Sequence, residues 1–234
     1  MKDAQAIYDD MWDEALPHFQ KDQVDADPLI MDPNDTRRGL TLRARPGKEL
    51  ILEIESFTRQ LQQFTPAQYF IPASDLHLTI FTIISCSVGI SRAEILDNTY
   101  IETISECVGS LPPPRIRFSG LTASTSCILL RGYPENNSLA ELRNRLRDAF
   151  RKSTLPSSID ARYPINTAHI TVMRFQTPQH SLAGFTRFIT AHKDHDFGRL
   201  EIGEAELVSN DWYHKKENTS LLHTFTCIHR NARA

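Results

Sequence analysis

Two short stretches of this 234-residue chain put the same residue types at the same spacing. Residues 76–80 read Leu76-His77-Leu78-Thr79-Ile80, and residues 168–172 read Ala168-His169-Ile170-Thr171-Val172. Side chains alternate faces along a β-strand. Each stretch, read as a strand, therefore presents His and Thr together on one face and turns its apolar residues towards a core. Imidazole is the side chain best placed to exchange protons near neutral pH, and a threonine hydroxyl both donates and accepts hydrogen bonds. Two such strands facing each other place two imidazoles and two hydroxyls around one cleft, a set suited to phosphate-ester chemistry. Of the nine histidines, only His77 and His169 fall in an H-x-[ST] pattern.

The elements that must position these residues follow from patterning. Residues 4–19 read as an acidic helix with Ile7, Met11, Ala15 and Phe19 at helical spacing. Residues 21–36, rich in Asp, read as a loop, and the sequence leaves open whether this front extension packs on the rest. Gly39–Arg45 alternates as a half-buried strand, with Leu40, Leu42 and Ala44 opposite Thr41, Arg43 and Arg45. A helix to Phe64 carries the stripe Leu50, Ile54, Phe57, Leu61 and Phe64. The first His strand runs from Leu76 to about Ser85. Capping-box patterns at Ser91–Glu94 and Ser138–Glu141 open helices to about Val108 and Lys152. Strands are expected at Arg115–Leu121, Ser126–Arg131, Ala168–Phe175, Leu200–Ser209 and Leu222–His229. Thr177-Pro178 reads as a helix start. The order strand, helix, His strand, helix, strand thus occurs twice, which predicts a two-fold pseudo-repeat of two small antiparallel sheets facing a groove.

Composition bounds the partners. Hydrophobic residues make up 40% and charged residues 24%, which supports a sizeable core. A net charge of −3 argues against a grip on long nucleic acid through its phosphates. A small anionic ligand needs only local positive charge. The four cysteines are widely spaced, with no CxxC pair, and read as small buried hydrophobes in a reducing compartment. The acidic N-terminus has no apolar signal region, and no run approaches the roughly 18 apolar residues of a membrane span. A cytoplasmic, membrane-free monomer is expected.

The paired motifs resemble those of the 2H phosphoesterase superfamily, the LigT-like or 2′-5′ RNA ligase-like proteins named for two H-x-[ST]-x motifs. Phe70-Ile71-Pro72-Ala73-Ser74-Asp75-Leu76 resembles the proline-bearing approach to the first motif, and His169-Ile170-Thr171-Val172-Met173-Arg174 resembles the second, with its arginine five residues after the histidine. The resemblance covers about residues 38–230. It implies an α+β bilobal domain over residues 38–234, preceded by an N-terminal helical, acidic extension over residues 1–37. It further implies metal-independent hydrolysis of 2′,3′-cyclic phosphates or related small nucleotide or RNA-end phosphodiesters, with no cofactor. His77 and His169 would act as acid and base in an order the sequence leaves open, and Thr79 and Thr171 would hold the phosphate oxygens. The alternatives are a 2′-5′ oligonucleotide phosphodiesterase or ligase-like enzyme and a non-catalytic nucleotide-binding module.

Further candidates are weighed residue by residue. Arg174 reads equally as a bidentate phosphate ligand and as a surface ion pair. Strict alternation turns it away from His169, so a strand end or bulge must redirect it. Arg43, with Arg45 and Arg131, is a candidate for the groove wall or for a solvated strand face. Tyr213 is a candidate to stack on a base, whereas Trp212 reads as edge packing. Arg143, Arg147 and Arg151 repeat every four residues and read as a solvated helix face. Asp194-His195-Asp196 reads as a polar loop rather than a metal site, and His223 and His229 read as structural.

Overall fold

The structure, a computed structural model, describes residues 3–90, 98–109, 111–161 and 165–227. In chain order it contains α1 (Ala4–Phe19), β1 (Arg38–Ala44), α2 (Lys48–Leu61), β2 (Tyr69–Phe70), β3 (Leu78–Ser87), α3 (Asn98–Val108) and β4 (Arg115–Ser124). Then come β5 (Cys127–Pro134), α4 (Ser138–Lys152), β6 (Ile170–Arg174), α5 (Ala183–Ala191), β7 (Asp196–Glu201), β8 (Glu204–Asn210) and β9 (Ser220–Thr226).

These form an α+β fold of two antiparallel sheets, ordered β3-β1-β8-β9 and β2-β6-β5-β4-β7. The expected pseudo-repeat holds at its centre, where β1 pairs with the His strand β3 as β5 pairs with the His strand β6. Outside that centre the two-fold arrangement persists, but its strands do not come from the sequence unit expected. β4 closes the first unit in sequence yet lies in the second sheet, because the tight turn between Ser124 and Cys127 makes it the hairpin partner of β5. The C-terminal β8–β9 hairpin fills the corresponding place beside β1. The helices cross over as well: α2, which follows β1, packs on β6 and β7, and α4, which follows β5, packs on β3. Neither sheet with its covering helices is a contiguous stretch of chain.

Several boundaries differ from the sequence expectation. The strand expected at Leu200–Ser209 is two strands, β7 and β8, separated at Ile202-Gly203. Thr177-Pro178 does not start a helix. Gln68 Oε1 accepts from the Gln176 and Thr177 amides, at 2.9 and 3.3 Å, and its Nε2 donates to Thr177, which holds this stretch outside a helix until Ala183. Ser138 is the first helical residue of α4 rather than its cap; Asn137 occupies that place without a side-chain hydrogen bond. Helix α2 ends at Leu61, which leaves Phe64 outside its buried stripe. The Ser91–Glu94 pattern and His229 lie outside the described residues.

The front extension packs on the rest. Asp3 caps α1 by accepting from the Ala6 amide at 2.7 Å. The buried stripe of α1 is Tyr8, Trp12, Ala15 and Phe19, one position on from the expected Ile7 and Met11. Phe19 meets Phe175 and Phe185 with ring centroids 5.7 and 5.5 Å apart. Beneath this helix β5 comes very close to the approach to β6. A Cβ on Gly132 would stand 1.7 Å from the Ala168 carbonyl oxygen.

Gly132→Ala should therefore force β5 away from Ala168. By overpacking it should cost about 3 kcal/mol, or roughly 6–12 °C in Tm. Thermal denaturation checks this, and a variant melting with the parent would show that the close approach does not exist.

Candidate active site

A cavity of about 180 Å³ lies between the two sheets, and His77, Thr79, His169, Thr171 and Arg174 all line it. The apolar residues of both motifs, Leu76, Leu78, Ile80, Ala168, Ile170 and Val172, are buried on the opposite side. Each histidine sits just ahead of its strand.

Both strands carry the same irregularity. The β1–β3 register slips between Leu42 and Arg43, whose partners are Phe81 and Thr79, so Ile80 has no partner. The β5–β6 register slips between Ile128 and Leu129, whose partners are Met173 and Thr171, so Val172 has none. An extra residue of this kind reverses the alternation beyond it. In each motif the bulge therefore brings the residue five places after the histidine back to the cleft, Thr82 in the first and Arg174 in the second. This is the redirection that Arg174 requires.

The imidazoles are fixed through Nδ1. His77 Nδ1–H donates to the Asp75 carbonyl at 2.7 Å, which leaves Nε2 as the basic nitrogen. The loop before it is held in turn: Arg45 donates to the Ala73 and Ser74 carbonyls, and Asp75 Oδ1 accepts from the Lys216 amide at 3.2 Å. His169 Nδ1 is 3.0 Å from Thr167 Oγ1. Burial pushes His77 down to about 3; the Asp75 hydrogen bond opposes this, and the Arg43 and Arg45 charges add to it. Burial also pushes His169 down to about 4, with Arg143 and Arg174 adding. Both rings are therefore neutral at pH 7.

Two groups at the site carry no motif. His214 stacks on His77 with centroids 3.9 Å apart and planes at 29°, and burial holds it well below the usual histidine range. It follows β8 in a loop, at a φ of 57°, and no spacing in the sequence marks it. Arg143 is 4% exposed. Its Nε donates to the Ile80 carbonyl at 2.8 Å, and its Nη2 to those of Thr79 at 3.1 Å and Thr167 at 2.9 Å. Burial lowers its pKa to about 10, so it stays charged.

The expected solvated face of Arg143, Arg147 and Arg151 is thus corrected. Arg143 lies under the cleft, and Arg147 pairs with Asp160 at 2.9 Å, while Arg151 is exposed. Helical spacing says which residues share a face, not what that face meets. Arg43 does not line the cavity. It lies opposite Glu206 in the sheet, and that carboxylate takes its Nε at 3.0 Å; Thr41 of the same strand reaches the cavity instead. Arg131 donates to the Lys193 carbonyl and pairs with Asp194, both away from the cleft. His195 pairs with Glu53 at 2.8 Å, and Asp196 opens β7. Among the described residues no group of three or more His, Cys, Asp or Glu is arranged to hold a metal ion. Tyr213 lines the cavity but is buried, its hydroxyl donating to Asp27 at 2.8 Å and accepting from Arg37 at 3.0 Å, with the Arg174 guanidinium 5.9 Å from its ring centroid. Trp212 lines the cavity too, with the Arg37 guanidinium 5.4 Å from its ring centroid, rather than serving as edge packing.

Two neutral imidazoles, two hydroxyls and a guanidinium thus surround one cleft between paired sheets. Residues 42–220 match the model of the AKAP7 2′5′ RNA ligase-like domain, and the chain belongs to that family, within the 2H phosphoesterase superfamily. No curated protein matches the chain significantly by sequence. Its fold is similar to TT0787 of Thermus thermophilus, 15% identical over 82% of this chain and 98% of that one, with a TM-score of 0.55. It is similar also to E. coli LigT complexed with 3′-AMP, 16% identical over 81% and 98%, TM-score 0.54. A conserved protein of unknown function, ATU0111 from Agrobacterium tumefaciens str. C58, is 14% identical over 91% and 97%, TM-score 0.56. Among the described residues no helix is long and apolar enough to cross a membrane.

The lowered histidine pKa values carry a stability consequence. An unfolded histidine titrates near 6.5, so between there and about 4 the unfolded chain binds protons that folded His77 and His169 refuse. Their contribution is full above about 6.5 and is lost as pH falls. The double variant His77→Asn/His169→Asn should therefore lose less Tm than the parent between pH 7 and pH 4.5. Equal pH slopes in the two melts would contradict neutral, desolvated imidazoles.

Proposed function

We propose that this protein is a metal-independent phosphodiesterase of 2′,3′-cyclic phosphates or related small nucleotide and RNA-end diesters. The observation that carries the reading is the pair of His-Thr motifs on one cavity, with Arg174 brought to it by the bulge at Val172.

The chemistry follows from the groups in place. An anionic phosphodiester entering the cleft favours protonation of one imidazole, since an opposite charge nearby raises a histidine pKa. The neutral imidazole takes a proton from water as its oxygen bonds to phosphorus. The bond from phosphorus to the ribose oxygen breaks, and the imidazolium gives that oxygen a proton. One water is consumed and a phosphomonoester results. Thr79 and Thr171 donate to the non-bridging oxygens, and Arg174 balances the charge spread over them. The two imidazoles end with their protonation exchanged, and solvent resets them.

The 2′5′ RNA ligase-like name of the family favours a second reading, in which the scissile linkage is 2′-5′ and the same two imidazoles serve it. LigT, a fold neighbour, is described as complexed with 3′-AMP and with ATP. That supports a nucleotide-sized occupant for either reading.

Three outcomes are expected of kinetics with 2′,3′-cyclic mononucleotides and 2′-5′ dinucleotides. Turnover should survive EDTA, because among the described residues no three His, Cys, Asp or Glu side chains are placed to hold a metal ion; loss on chelation with recovery on adding a divalent ion would end the metal-free mechanism. His77→Ala and His169→Ala should each lower kcat by about 10²–10⁴ without multiplying in the double variant. A folded single variant with near-normal turnover would remove that histidine from the reaction. Thr79→Val and Thr171→Val should cost less, on the order of 10–10³. A parent that binds nucleotides and turns over none of these substrates would leave a binding module.

A further inference from the structure

The match to the family begins at residue 42, so α1 and the strap that follows it lie outside the family's domain. They nevertheless touch residues that line or flank the cleft at two points. On the far side, Asp27 and Arg37 hold the Tyr213 hydroxyl, and the Asp27 amide donates to the Phe175 carbonyl at 2.8 Å, just past Arg174. On the near side stands Tyr8, whose side chain is buried against β5 with its ring 5.7 Å from that of Tyr133. The Tyr8 hydroxyl donates to the Gly132 carbonyl and accepts from the Gly132 and Ala168 amides, each at 3.2 Å.

Ala168 is the residue before His169. The same short approach is held from below by Arg143, which takes the Thr167 carbonyl, while Thr167 Oγ1 meets His169 Nδ1. Both contacts lie just ahead of His169, that of Tyr8 at the adjacent residue and that of Arg143 one residue further. Because β6 begins at Ile170, His169 is not fixed by sheet pairing of its own. We propose that the N-terminal segment is part of the catalytic unit, with Tyr8 a positioning residue that sets the second histidine through the Ala168 amide. This rests on His169 belonging to the reacting pair. A phenol suits this place because it satisfies two buried amides and one carbonyl at once, and no aliphatic residue can replace it there.

Tyr8→Phe removes the hydroxyl and keeps the ring contact with Tyr133. Thr122→Val serves as its partner variant. Thr122 Oγ1 donates to the Tyr8 carbonyl at 2.7 Å, so its loss loosens the same helix and leaves the phenol in place. Both variants are compared with the parent in the full-length protein, well below their melting temperatures. One readout is kcat and KM on a 2′,3′-cyclic mononucleotide. The other is the NMR signals of the His169 ring in histidine-labelled protein, which need no turnover.

Tyr8→Phe should lower kcat at least roughly tenfold with little change in KM, the effect of a misplaced reacting group. It should also broaden or split the His169 signals, while Thr122→Val stays close to the parent on both counts. A Tyr8→Phe protein with parent-like His169 signals would overturn the proposal. Equal effects of both variants would overturn it too, since they would mark general loosening of α1. If the parent hydrolyses nothing, the functional reading fails, and the NMR comparison still decides whether Tyr8 sets His169.

Discussion

Three carbonyl oxygens from two different parts of the chain converge on one buried guanidinium. Arg143 takes Thr79 and Ile80 of one His strand and Thr167 ahead of the other, and no carboxylate shares it in these contacts. Hydrogen bonds from a charged donor are worth about 1.5–3 kcal/mol each. They ask for three carbonyls at fixed places, so the two sheets cannot slide without leaving buried oxygens unsatisfied. The crossing-over of helices serves the same end. Arg143 comes from α4, which follows a strand of one sheet and covers a strand of the other. The paired motifs keep their relative places because the element that joins them belongs to both lobes.

The same charge sets the chemistry of the cleft. The charges of Arg143 and Arg174 act on His169, and those of Arg43 and Arg45 on His77, so desolvation and positive potential act together to keep both rings neutral. A protein with an overall charge of −3 thus gathers arginines around a cleft that, of these four, only Arg174 lines. A phosphate group there would supply negative charge, and with it the reason for one imidazole to take up a proton. In the proposed reaction, charge and proton arrive at the site together with the substrate.

Much of this was legible in the sequence, for reasons that can be named. The His-x-Thr motifs stand out because strand alternation with period two separates the reactive face from the apolar one, and the structure keeps that separation at Leu76, Leu78, Ile170 and Val172. Most helices announced themselves through apolar stripes such as Leu50, Ile54, Phe57 and Leu61. The illegible parts depend on pairing across long sequence distances. The placement of β4 in the second sheet follows from a tight hairpin, and that of β8 and β9 in the first from a place left vacant. Arg143 reads as solvated because its three acceptors are backbone atoms, which no side-chain pattern encodes. His214, Trp212 and Tyr8 reach the site or its supports from a loop and a helix that share no motif with it. The identical bulges at Ile80 and Val172 are likewise invisible in residue types, yet they decide that Arg174 faces the cleft.

The central claim is that His77 and His169 form one acid–base pair whose proton arrives with the anion. The most direct measurement is the 15N NMR titration of both imidazoles, in the free protein and with a nucleoside 3′-monophosphate bound, near pH 6. Both rings should be neutral in the free protein, with His77 protonated at Nδ1 as the Asp75 carbonyl requires, and one ring should become an imidazolium on binding. Two rings already charged in the free protein, or two that stay neutral with the nucleotide in place, would contradict it.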